Sequence, residues 1–198
     1  YDRVDIVKLL LESSNHGNPY LDQIDSIFED SIKYIKTGTL NYLLVKNYEK
    51  LKETVNRKFN TIILRFSNIE DILFYIIMNQ KAQITRENIK SIISKNYIDL
   101  FKYCYKNHIQ SKNNSDLILK CLESNSFIIF EYLMENGSYI NQNEFSSVFL
   151  SKKKHNILFL NIILDKYLDL LPVNSSIITL SIRNKVESAR LEKLVNNN

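Results

Sequence analysis

The chain has 198 residues, 44% hydrophobic and 24% charged, with a formal net charge of +4. That length can bury a substantial core, and the charge is too weak to mark a nucleic-acid binder, which carries a basic stripe. Three glycines and two prolines leave almost no material for β-turns or for a Gly-rich phosphate cradle, so short helices joined by polar turns are expected.

Taken in chain order, apolar positions recur with helical period. Ile6, Val7, Leu10 and Leu11 form a first stripe, Ile24, Ile27, Phe28, Ile32 and Ile35 a second, and Leu40, Leu43, Leu44 and Tyr48 a third. Paired stretches follow: 59–66 with 69–78, 89–93 with 98–105, 117–122 with 127–134, 148–150 with 157–164, and 177–182 with 186–195. The breaks inside the pairs read Lys36-Thr37-Gly38-Thr39, Ser67-Asn68, Ser94-Lys95-Asn96, Glu123-Ser124-Asn125, Lys152-Lys153-Lys154-His155 and Arg183-Asn184-Lys185. Such breaks suit tight helical hairpins, with Asn taking the left-handed conformation at helix ends where Gly is scarce.

The first large apolar residue of each second helix is Ile6, Tyr42, Ile72, Leu100, Ile129 and Phe159, with a weaker seventh near Arg190. The intervals are 36, 30, 28, 29 and 30 residues. A sustained period signals a solenoid, in which no repeat can bury its apolar face alone. The expected fold is therefore all-α: an α-solenoid of about six to seven stacked helix-turn-helix repeats, forming a single domain over residues 1–198. The chain opens inside a helical pattern, which fits a piece of a longer protein.

Two stretches point to a family. Asp5-Ile6-Val7-Lys8-Leu9-Leu10-Leu11-Glu12 resembles the second helix of an ankyrin repeat, and Phe130 through Asn141, with its Asn136-Gly137 turn and Ile140-Asn141, resembles that family's helix end and following turn. Ile69-Glu70-Asp71-Ile72-Leu73 and Tyr97-Ile98-Asp99-Leu100-Phe101 repeat the same apolar–acidic–apolar start. The family's Thr-Pro-Leu-His signature is missing: the corresponding places read Phe59-Asn60-Thr61-Ile62, Glu87-Asn88-Ile89-Lys90 and Asp116-Leu117-Ile118-Leu119. Packing of large Ile, Leu and Phe residues is expected to replace the hydrogen bonds which that signature makes. Most intervals are also shorter than the usual 33 residues, so the β-turn fingers between repeats should be short or absent. Tetratricopeptide, HEAT and pentatricopeptide arrays are the rivals. The first requires small residues where helices cross, yet alanine is scarce and not periodic.

Residues suited to chemistry are few. Cys104 and His108 lie four apart on a predicted helix, but a zinc site needs three or four ligands, and only Cys121, His16 and His155 remain. A buried Cys104 in an apolar stripe is the simpler reading, and a thiol among Leu, Ile and Tyr is inert as a nucleophile. Adjacent acids such as Glu29-Asp30 and Glu70-Asp71 diverge by about 100° on a helix and better serve helix starts. No nucleophile elbow or His-Glu-x-x-His pattern is present, so no catalytic residue, metal or cofactor is expected. Two cysteines at apolar positions favour a reducing, intracellular setting. No apolar run approaches the roughly 20 residues of a membrane span.

What remains is binding. The resemblance implies a protein-holding scaffold that meets its partner with the first helices and the inter-repeat turns, and the candidate contacts are Lys95, Glu123, Tyr139, Asn143, Lys152 and Lys153. The alternative is a nucleic-acid-binding solenoid using the basic segments 51–100 and 151–198, which carry eight Lys/Arg each against five and four acids. The Lys152-Lys153-Lys154-His155 run can serve as an anion contact, but a solvated hairpin turn is the simpler reading.

Overall fold

The computed structural model describes residues 2–12, 20–79, 82–109 and 113–139, together with 165, 166 and 192. Regular secondary structure among the described residues is helical, apart from an isolated β-bridge between Asn113 and Tyr139. The helices are α1 (Val4–Glu12), α2 (Ile24–Lys33), α3 (Thr37–Lys46), α4 (Tyr48–Arg65), α5 (Glu70–Asn79), α6 (Arg86–Ser94), α7 (Ile98–His108), α8 (Ser115–Ser124) and α9 (Phe127–Glu135). The chain divides into two compact units, Tyr1–Lys95 and Asn96–Asn198.

In the first unit, helices pack on their second neighbours: α2 on α4 and α4 on α6 in one row, α1 on α3 and α3 on α5 in the other. The pair α2–α3 closes a hairpin between the rows. Amphipathic stripes make this possible, because each helix turns one apolar face inward. Phe28 and Ile32 of α2, Leu40, Leu43 and Leu44 of α3, and Leu51, Val55, Phe59, Ile62 and Ile63 of α4 are all buried, as are Leu73 and Ile76 of α5 and Ile92 of α6. In the second unit α8 and α9 form a hairpin and α7 packs on α9, over a core containing Phe101, Cys104, Ile118, Cys121, Phe130 and Leu133.

The turns inside the hairpins share one device. Ile35, Asn68, Asn96 and Asn125 have φ of 53°, 57°, 55° and 56°, and each stands two residues before the next helix. After α2 and α8 the chain closes with the 6→1 bond of a left-handed helix end: Lys36 N–H donates to Ser31 O at 2.8 Å, and Ser126 N–H to Cys121 O at 2.9 Å. The expected Asn role holds at three of these turns. At the first, the break lies at Tyr34–Lys36, and Thr37, Gly38 and Thr39 belong to α3.

That shift corrects the period. The second helices begin at Val4, Thr37, Glu70, Ile98 and Phe127, so the intervals are 33, 33, 28 and 29 residues. Their third residues are Ile6, Thr39, Ile72, Leu100 and Ile129. The expected anchor Tyr42 is therefore out of register. Thr39 holds the place that a large apolar residue holds elsewhere, and it is buried, at 5% exposure.

Thr39 is held there by polar contacts. The Asp2 carboxylate accepts from Gly38 N–H at 2.6 Å, from Thr39 N–H at 3.2 Å and from the Thr39 hydroxyl at 2.7 Å. It thus caps the free amides at the start of α3 from outside that helix. Burial pushes the Asp2 carboxyl up, but the hydrogen bonds from Thr39 and Gly38, with the Lys36 charge, outweigh it and leave the group below its ordinary value. Gly38 is what lets the strand of chain come so near: a Cβ there would stand 2.6 Å from Val4 Cγ2.

Two further expectations change. The first helix expected at 59–66 is the second half of α4, which runs for 18 residues from Tyr48. Its charged first half hides a stripe at Tyr48, Leu51 and Val55 that continues into Phe59 and Ile62, all buried. Packing alone is expected from the sequence to tie neighbouring helices together, and hydrogen bonds contribute as well. Thr85 and Asn88 form a capping box at the start of α6, and Asn88 Nδ2 then donates to Asn60 Oδ1 of α4 at 2.8 Å, where the Ser91 hydroxyl also donates at 3.1 Å.

Candidate functional site

Of the candidate contacts, Lys95 belongs to the first unit, and Glu123 and Tyr139 to the second. Lys95 is half-buried at the C-terminal cap of α6. Glu123 is exposed in the last turn of α8, where Lys120 pairs with it at 3.3 Å. Tyr139 is 53% exposed and bridges to Asn113, just ahead of α8. Glu123 and Tyr139 therefore stand at opposite ends of α8, separated by eight residues of helix, or about 12 Å of rise. Asn143, Lys152 and Lys153 lie outside the described residues.

The Tyr139 end of the second unit is built around Ser138. Its hydroxyl accepts from Asn114 Nδ2 at 2.9 Å and lies 3.2 Å from the Tyr105 hydroxyl. Asn113 Oδ1 accepts from the Ser115 hydroxyl at 2.9 Å. The turn after α9 is thereby tied to the segment before α8, and Tyr139 is presented on a fixed base. Tyr132 packs in this unit: its ring meets those of Phe101 and Tyr105 edge-on, with centroids 6.2 and 5.5 Å apart.

A second feature went unseen at the sequence level. In the first unit an open groove of about 350 Å³ runs between α2 and α4, lined by Glu29, Asp30, Lys33, Lys58, Thr61 and Arg65. Polar contacts cross the α2–α4 seam along its length. The Thr54 hydroxyl donates to Asp25, Arg57 pairs with Glu29 at 3.1 Å, Lys58 approaches Glu29 at 3.5 Å, and Arg65 donates to Lys33 O at 3.0 Å. These partners are 28 to 32 residues apart. The readable signal was complementary charge one repeat away, Glu29 against Arg57 and Lys58.

On the other side of α2 lies a hollow of about 260 Å³, whose lining includes Ile6, Val7, Ile27, Tyr34 and Asp30. Ile6 and Tyr34 are 40% and 57% exposed. Asp30 lines both depressions and forms the ridge between them.

The thiols do not form a reactive site. Cys104 and Cys121 are free and buried. Burial pushes the Cys104 thiol up to about 12 and the Cys121 thiol higher still. His108 is exposed at the end of α7. Among the described residues no three His, Cys, Asp or Glu side chains gather as metal ligands, and no helix is long and apolar enough to cross a membrane. No family model, no curated protein and no solved structure matches the chain.

Proposed function

We propose that the chain is a stack of ankyrin-like hairpins that holds another protein, on the surface formed by first helices and inter-hairpin connections, and performs no catalysis. The observation that carries this reading is recurrence of contacts over 28 to 35 residues. Within each unit side-chain hydrogen bonds join residues a repeat apart: Glu12 with Tyr42 at 2.9 Å, Asn60 with Asn88 at 2.8 Å, Glu131 with Lys166 at 2.6 Å. Packing of helices on their second neighbours within each unit supports it further. Such an array spends its polar residues on an extended lateral surface, the usual docking face of repeat proteins. Two buried free thiols fit a reducing compartment.

The nucleic-acid reading draws less support. Carboxylates from Glu29 and Asp30 line the same groove as the cations of α4, and a phosphate backbone would have to pass them.

The test is affinity purification from cells that express the chain, with Tyr139→Ala/Lys153→Ala as control. A protein recovered in stoichiometric amount and lost from the double variant is expected, at unchanged thermal midpoint. Recovery of nucleic acid alone, with affinity falling steeply as salt rises, would replace this reading with the other.

A further inference from the structure

The two depressions beside α2 differ in chemistry and share a wall. The hollow on the α1 side presents Ile6, Val7, Ile27 and Tyr34. The groove on the α4 side presents Lys33, Lys58 and Arg65. We propose that they form one binding surface for an extended segment of the held protein, with an apolar side chain in the hollow and a carboxylate in the groove. The proposal rests on the protein-holding reading and gives the held segment its chemistry.

Charge complementarity decides the groove's half. Glu29 is already offset by Arg57 at 3.1 Å and Lys58 at 3.5 Å. Arg65 is exposed, and its guanidinium donates to a neutral acceptor, the Lys33 carbonyl, at 3.0 Å. No carboxylate among the described residues pairs with it. A guanidinium offers five donors in a planar fork that matches a carboxylate, so most of its capacity faces solvent. Cations at the last turns of α2 and α4 also offset the helix dipole, but Lys58 lies mid-helix and owes nothing to that effect. Discrete carboxylates can reach Arg65 and Lys58 while avoiding Asp30, which a continuous polyanion cannot.

The spacing follows from helix geometry. Hollow and groove flank a single helix, so their centres lie about one helix diameter apart, on the order of 10 Å. An extended chain covers that in about three residues. The expected motif is an apolar residue followed or preceded, three positions away, by Asp or Glu, with backbone amides passing over the Asp30 carboxylate.

A phage-displayed library of random 12-residue peptides, selected on the purified full chain, tests this directly. Enrichment of apolar–x–x–acidic sequences in either direction is expected. A selected peptide should bind at least about tenfold more weakly to Lys58→Gln/Arg65→Gln, through lost charge-assisted bonds, and more weakly to Tyr34→Ala. Both variants alter exposed or half-buried side chains, and unchanged melting curves would show that they fold. Enriched peptides lacking acids, equal binding to the Lys58→Gln/Arg65→Gln variant, or no enrichment at all would overturn the proposal. So would displacement of the peptide by an equimolar single-stranded oligonucleotide, which would assign the groove to nucleic acid. If a protein co-purifies with the chain but the Lys58→Gln/Arg65→Gln variant retains it at full affinity, this inference alone falls. If none co-purifies, the protein-holding reading falls with it.

Discussion

Single residues carry much of the geometry of the helical turns, and Ile35 is the most exposed to test. It adopts φ 53° where the equivalent turns use Asn68, Asn96 and Asn125. A β-branched residue in the left-handed region is strained by about 1–2 kcal/mol, and Ile35 is 51% exposed, so little burial compensates. Ile35→Asn should raise stability by about 1 kcal/mol, read from the urea midpoint at constant m-value. Tyr48 presents the opposite case. The ring is 2% exposed, and its hydroxyl has no hydrogen-bond partner among the described residues. Burial, with the nearby Glu49 charge, raises its pKa. Removing an unpaired buried hydroxyl while keeping the ring should leave stability unchanged or increase it by up to about 1 kcal/mol. A loss on Tyr48→Phe of more than that in the same denaturation assay would reveal a partner.

At the scale of elements, Asn88 joins two functions that sequence reading separates. Its side chain closes the capping box of α6 and donates to Asn60 on α4. Asn88→Ala should therefore cost more than a lost cap alone, about 2 kcal/mol in all. A double-mutant cycle with Asn60→Ala should return a coupling near 1 kcal/mol, whereas additive effects would show that the bond is energetically silent. Helices and their rough period were legible because apolar spacing and turn asparagines are local signals. Thr39 was not, since its place in the register is held by Asp2, 37 positions earlier. The first half of α4 was hidden because residues 49–58 present a charged face and spare only Leu51 and Val55 for the stripe. The paired carboxamides of Asn60 and Asn88, and the groove at Lys58 and Arg65, arise only when a residue meets another about 30 positions away. No window of one helix contains that information. The sequence likewise could not show that Glu123 and Tyr139 stand at opposite ends of α8.

For the whole molecule, the buried thiols report on opening of the second unit. Cys104 is held to about 12 against its ordinary value of 9.0 by burial, and Cys121 is raised further. An acid whose folded pKa is raised favours folding while both states are protonated, below the ordinary thiol value. That contribution is lost as pH climbs from 9.0 towards about 12, because the unfolded chain ionises first. Stability should fall across this window, and Cys104→Ser/Cys121→Ser should flatten the slope, as followed by denaturation at successive pH values. At pH 8 a thiol-specific reagent should label neither cysteine faster than the unit opens. Rapid labelling would contradict their burial.

The connections between hairpins are unequal. A single residue, Asn47, joins α3 to α4, whereas six residues separate α5 from α6 and α7 from α8. Where another repeat would carry a loop, this one carries extra helical turns, with Tyr48 and Leu51 anchored in the core. That edge is helical and anchored rather than looped before any encounter. A ligand meeting it gives up little conformational entropy of the protein, and its association rate should reflect collision and orientation rather than a slow rearrangement.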